Sequence, residues 1–139
     1  MRVVFDTNVL ISALVFRKHL EKIETVIKQG DSTPCFISAT FQEFQNVLEY
    51  QKLHAFMQAS NVTPKQIIVA VTKKSLLFAA PASIPQAVAD TSDNYILAAA
   101  MTSRAEYIVT GDKLLLSLKE FVGIPIVTPK TFLAEIRPR

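Results

Sequence analysis

The 139 residues contain a single cysteine, Cys35, so no internal disulfide can brace the chain, and a reducing compartment suits it. Cys35 follows a proline in PCFI and reads as a core residue. Histidine is almost as scarce: His19 and His54 stand apart from each other and from the acidic segments, which leaves no Cys/His grouping for a structural zinc. No apolar run approaches the ~18 residues of a membrane span. The amino-terminal RVVF gives way at once to DTN, where a secretory leader would continue. The expectation is cytoplasmic residence with no membrane contact. Charge of either sign is also modest, 15 basic against 12 acidic residues for a net +3 and pI of about 9.1. That excess mildly favours an anionic partner without proving one. Arg17-Lys18, Lys73-Lys74 and the RPR terminus read as solvated surface that can meet phosphate, and the nine phenylalanines sit mostly in apolar segments and not among basic residues as stacking platforms do.

What is abundant is apolar side chain, 50% of the sequence against 19% charged, which excludes disorder. At this length roughly two-thirds of the unfolded surface can be buried. One domain over residues 1–139 is expected, ending in a short flexible tail at about 136–139. Strand and helix patterns alternate along it. Residues 2–5 form a branched apolar strand, Asp6-Thr7-Asn8 supplies turn and cap chemistry, and VLISALVF begins a helix. A second helix runs from about His19 to Gln29, with Leu20, Ile23 and Ile27 on one face and Gly30-Asp31 at its end. CFI is the next strand, and Ser38 is expected to cap a helix to about Glu49 that buries Phe41, Phe44, Val47 and Leu48. After a bend near Tyr50, a helical piece covers about Leu53 to Ala59. Thr63-Pro64-Lys65-Gln66 is a capping box with proline in the first turn, opening a helix to Lys74. A weak strand at Ser75–Ala80 ends in the PASIP loop. Thr91 or Ser92 can cap the alanine-rich NYILAAAMTSR helix, YIV is a strand ending in Thr110-Gly111-Asp112, and IPIV is the last strand. The alternation predicts an α/β fold with a central, mostly parallel sheet between helices.

Four acids stand where apolar runs end: Asp6 after RVVF, Glu43 in SATFQEF, Asp93 in DTSDNY and Asp112 in YIVTGD. A parallel strand followed at once by a carboxylate delivers that charge to the carboxyl edge of its sheet. Asp6 can also be a plain helix cap, although Thr7 and Asn8 could serve there alone. Asn8 and Ser12 are four apart and can share a helix face near the site, or be ordinary cap and packing residues. Glu43 lies about one and a half turns into its helix, within reach of the edge where Asp6 emerges, although its position alone also fits a solvated helix residue. Asp90 and Asp93 are three apart at a helix start, where free N–H groups favour negative charge. Asp93 is the candidate ligand, and Asp90 a cap or a group supporting the ligands. Asp112 follows a glycine that permits a tight turn, and Thr110 can donate or accept at the same edge, or the two can be an ordinary turn residue and an ordinary strand end. Clustered carboxylates repel unless a cation or protons intervene, and hard oxygen donors suit Mg2+ or Mn2+. Metal-assisted hydrolysis of a phosphodiester is the chemistry that follows.

DTNVLISAL, SATFQEFQNVL and DNYILAAAMTSRAEYIVTGDKLLL, in that order, resemble a PIN domain across nearly the whole chain. The likeness is especially close to the VapC-like ribonuclease toxins of prokaryotic toxin–antitoxin pairs. It implies a three-layer α/β/α domain with Asp6, Glu43, Asp93 and Asp112 as the acidic residues of a nuclease centre, Asn8 and Thr110 supporting them. It further implies Mg2+ or Mn2+ as cofactor, RNA as substrate, a homodimer, and a cognate antitoxin as silencing partner. Glu106, where this group often has aspartate, departs from the pattern but precedes its strand. Two other readings compete. A phosphatase or phosphotransfer domain also places aspartates at strand ends, but there is no DxD pair after the first strand, and Lys130 comes only after VTP. A catalytically silent RNA-binding or protein-interaction module on the same scaffold is the second, and retention of all four acids argues against it.

Overall fold

A computed structural model describes residues 1–16 and 20–136 of the chain. Arg2–Phe5 forms β1, and its alternation splits the core: Val3 and Phe5 turn to one face of the sheet, Val4 to the other, all three buried. Strands β2 (Thr33–Ile37), β3 (Leu76–Phe78), β4 (Tyr107–Val109), β5 (Glu120–Phe121) and β6 (Ile124–Val127) complete a six-stranded sheet in the order β3-β2-β1-β4-β6-β5. Every neighbouring pair is parallel except β5, which runs antiparallel to β6. The sequence pattern missed β5, a two-residue strand turned back by Gly123 at φ +82°.

Helices cover both faces, as a parallel sheet with apolar residues on each side requires. On the Val3/Phe5 side pack α1 (Thr7–Ile11), α2 (Glu21–Lys28), α3 (Ser38–Leu48), α4 (Gln51–Ala59), α5 (Pro64–Lys74) and α8 (Pro129–Glu135), which contribute Ile23, Phe44, Leu48, Met57, Val71 and Phe132 to one cluster. On the Val4 side, α6 (Thr91–Ser103) lays Ile96 to Ala100 against Cys35, Ile37, Ile108 and Ile126, with Leu115 of α7 (Lys113–Ser117). Its three consecutive buried alanines let the helix approach the strands closely. The result is the expected three-layer α/β/α arrangement. Beyond Ile11 the first helix widens into π-helical turns over Ser12–Phe16.

Several expectations about helix ends need correction. Ser38 does not cap α3 but is its first residue. The cap is supplied from inside the helix by Thr40, whose hydroxyl accepts from Ile37 N and donates to Ile37 O, both at 3.1 Å. Thr91 and Ser92 likewise lie within α6, and Asp90 is its cap, accepting from Asp93 N at 3.2 Å. Ile136, assigned to a flexible tail, is buried in the Val3/Phe5 cluster and donates its N–H to Phe132 O at 3.0 Å. The remaining tail residues 137–139, with Arg17, Lys18 and His19, lie outside the described residues.

The Thr63 capping box forms as the sequence predicts: Gln66 N donates to Thr63 Oγ1 at 3.2 Å, and Thr63 N donates to Gln66 Oε1 at 2.9 Å. Replacing Thr63 with alanine should cost about 1 kcal/mol. For a chain of this size that lowers the melting temperature by about 3 °C. A thermal melt checks it.

Candidate active site

The pairing of β1 with β4 sets Phe5 beside Val109, so the residues that follow them, Asp6 and Thr110, leave the sheet together. Asp6 N extends the ladder by donating to Val109 O at 2.9 Å, and Thr110 N donates to Val127 O at 2.9 Å. The Thr110 hydroxyl, fully buried, then ties two acids at once. It donates to Asp6 Oδ2 at 2.7 Å and accepts from the backbone N–H of Asp112 at 2.9 Å. Asp112 caps α7 through Oδ1, which accepts from Leu114 N at 2.7 Å and Leu115 N at 3.2 Å. On the other flank, Thr7 Oγ1 donates to Glu43 Oε2 at 2.9 Å, joining the first turn of α1 to α3. Asp6 and Glu43 are thus each held by a threonine hydroxyl, and Asp112 by two backbone N–H groups of α7.

Asp93 completes the group from the first turn of α6 and is only 6% exposed. Its Oδ2 is buried and, in the ionised acid, has no hydrogen-bond donor among the described residues. Burial first, then the negative charges of Asp112, Asp90 and Asp6 and a hydrogen bond to Asp112 that only the protonated acid can donate, push the Asp93 carboxyl up to about 7. Asp6 is also raised, chiefly by burial. The Thr110 hydroxyl opposes that rise, while the charges of Glu43 and Asp112 add to it. Each acid feels others of the set, so four carboxylates from four separate segments share one electrostatic neighbourhood.

The supporting positions separate. Thr110 is central, and Asp90 acts as a helix cap at the rim. Asn8 is exposed on the first turn of α1, while Ser12 is half-buried where the π-helical turns begin; neither side chain forms a hydrogen bond among the described residues. Two residues that sequence reasoning left without a role have one here. Thr7, assigned only to capping, orients Glu43. Asn94, buried beside Asp93, accepts from Ala87 N and Val88 N, both at 3.1 Å, and donates to Val88 O at 2.8 Å, pinning the loop before α6. A polar residue within the DNY motif, next to an acid and ahead of an apolar helix, was the available signal. Glu106 sits at the opposite end of its strand, where its N–H donates to Arg2 O at 2.8 Å, well away from these acids.

Replacing Thr110 with valine leaves the shape nearly unchanged but removes the donor to Asp6 and the acceptor for Asp112 N. Unfolding should become easier by about 1–3 kcal/mol. Any hydrolysis supported by the site should fall about tenfold or more, and parallel melts and rate measurements check both.

Among the described residues no three Asp, Glu, His or Cys side chains form a ready-made cation cage. The donor set nevertheless fits a hard divalent ion. Its atoms are all carboxylate oxygens, ionised Asp93 has a buried oxygen with no donor among the described residues, and the repulsion that adds to burial in raising Asp93 and Asp6 is what a cation relieves. Mg2+ keeps several of its waters and is held through one or two carboxylates plus substrate phosphates, so a closed protein cage is not required.

A mostly parallel sheet between helices, with acidic side chains at its carboxyl edge, defines an open-sheet α/β protein, a class that places its sites at that edge. The PIN domain family model matches residues 2–114, and the chain belongs to that family. No curated protein matches the sequence. Among solved structures, a chain of the crystal structure of VapBC2 from Rickettsia felis bound to a DNA fragment from their promoter superposes with a TM-score of 0.61 at 12% identity, covering 92% of this chain and 98% of that one. The two share a fold. No helix among the described residues is long and apolar enough to cross a membrane.

Proposed function

We propose that this PIN domain, a single domain spanning the chain, is an endoribonuclease that uses Mg2+ or Mn2+ to hydrolyse RNA phosphodiester bonds, and that it is the toxin of a toxin–antitoxin pair. The observation that carries the reading is the convergence of Asp6, Glu43, Asp93 and Asp112 on one sheet edge, with a buried Asp93 oxygen that has no donor among the described residues when the acid is ionised. Asp6 and Asp112 are the principal metal holders, each oriented by Thr110. Glu43, steadied by Thr7, and Asp93 complete the set or orient the attacking water. When bound, a divalent ion supplies an activated water and offsets charge on the phosphate and the leaving oxygen. The protein's part is to keep these oxygens fixed before substrate arrives, so that little reorganisation is needed during reaction.

The solved fold relative is a VapBC assembly on promoter DNA. A cognate antitoxin that silences the site is proposed here by that likeness, and a homodimer and a cytoplasmic RNA target by the resemblance of the sequence motifs to PIN-domain toxins. The test is a panel of single-stranded and structured RNAs beside DNAs of the same sequences, with Mg2+, Mn2+ or chelator. Cleavage of RNA alone, abolished by chelator, supports the reading. Tight RNA binding by folded protein without metal-dependent products would favour a silent binding module instead.

A further inference from the structure

A groove of about 300 Å³ runs between α3 and the start of α6, and Glu43 belongs to both this groove and the acidic edge. Along α3 its wall is a helical stripe, Gln42 and Glu43, then Asn46, then Tyr50, which faces outward where the chain leaves the helix. From α6 come Ser92, the neighbour of Asp93, and Tyr95 one turn on. Glu43 and Tyr50 are seven residues apart, about 10 Å of helix rise. The groove therefore leads from the carboxylates to an aromatic ring that is 50% exposed.

Its chemistry differs from both neighbouring kinds of surface. Among the described residues its lining is uncharged apart from Glu43, unlike a phosphate site. The larger concavity on α5, lined by Lys28, Lys65, Lys73 and Lys74, shares no residue with it. Two phenol rings offer apolar faces. Gln42 Nε2 donates to Asn46 Oδ1 at 2.9 Å, which holds the two amides together and leaves the Gln42 carbonyl and the Asn46 amino group as an adjacent acceptor and donor. A flat ligand with a π-face and a donor–acceptor edge is what this combination recognises.

We infer that the groove is a nucleobase pocket, which receives an unpaired base of single-stranded RNA adjoining the phosphate held at the carboxylate edge. This rests on the ribonuclease reading and adds to it the substrate class: RNA whose base can be splayed out, with Tyr50 and Tyr95 providing the apolar contact and Gln42 and Asn46 reading the base edge. Lys52, whose Nζ lies 5.8 Å from the Tyr50 ring centroid, places a cation at the far end of the path, where the strand continues.

Binding, measured apart from turnover, tests it. In wild-type protein with Ca2+ in place of Mg2+, and with the oligomers checked for integrity after each titration, short labelled oligoribonucleotides are titrated beside the same oligomers carrying one abasic ribose at successive positions. One abasic position should weaken binding about tenfold. Tyr50→Ala should erase that difference, Tyr50→Phe should restore it, and Gln42→Ala with Asn46→Ala should change the ranking among A, C, G and U at that position. Equal affinity for intact and abasic oligomers, equal weakening of both by Tyr50→Ala, or no binding of either overturns the pocket. Cleavage by the wild type is scored separately. A protein that cleaves RNA yet ignores abasic sites retains the ribonuclease function and loses the pocket. One that selects bases but never cleaves retains the pocket and loses the enzyme.

Discussion

Asp6→Asn is expected to lower metal-dependent RNA cleavage by at least about 10³-fold, equivalent to about 4 kcal/mol of barrier, while the protein stays folded. The position explains both halves. Asp6 is the first residue past β1, its backbone N–H is still part of the sheet ladder, and its Oδ2 accepts from Thr110. An asparagine Oδ1 can accept the same hydrogen bond, so the ladder and the buried threonine keep their partners. The lost charge is another matter, since asparagine is a poor ligand for a hard cation and the set drops from four carboxylates to three. Circular dichroism and a melt beside the rate measurement separate the effects. A rate within about threefold of wild type, less than 1 kcal/mol, would remove Asp6 from the mechanism.

Asp93→Asn should make the metal-free protein more stable above neutral pH, and the sign follows from linkage. In the open chain the carboxyl titrates near 3.8, whereas in the fold it titrates at about 7. Below the lower value both states are protonated and the group contributes no difference. As pH rises through that window the unfolded chain ionises freely while the folded one resists, so wild type loses stability, with the full penalty present above about 7. The interval corresponds to about 4 kcal/mol at most. Asparagine carries no such penalty and can donate to Asp112 as the protonated acid does. At pH 8 without divalent ions the variant should melt about 6 °C or more above wild type, and the two should converge near pH 4. Saturating Mg2+ should raise wild type more than the variant, because it relieves the repulsion that the substitution has already removed. Equal melting curves across the pH range would show that Asp93 carries no strain. Together with lost cleavage, a stabilised variant would show that stability is given up at this edge for function.

The fold was legible where local chemistry and packing agree. Residues 2–5, the Thr63 capping box and IPIV each carry an apolar pattern or a cap that tertiary structure has no reason to override, and each forms as expected. The four acids were visible because each follows or interrupts an apolar run. Caps were less legible, since several hydroxyl and carboxyl groups compete for the same N–H groups: Thr40 displaced Ser38, and Asp90 displaced Thr91 and Ser92. Ile136 looked like tail because the cluster that buries it is built largely from residues far from it in sequence, Val3, Phe5 and Ile23 among them, which no local pattern encodes. The bond from Thr7 to Glu43 spans 36 residues and was invisible for the same reason. Asn8 and Ser12 share the helix beside the acids, but spacing alone could not supply a partner for either side chain.

The most direct measurement is incubation of end-labelled single-stranded RNA with wild type and Asp6→Asn in Mn2+ and then in chelator. Discrete products from wild type in Mn2+ alone, absent with the variant, are the expected result. Products that persist in chelator, or that the variant makes equally well, would contradict a metal-dependent nuclease built on these four carboxylates.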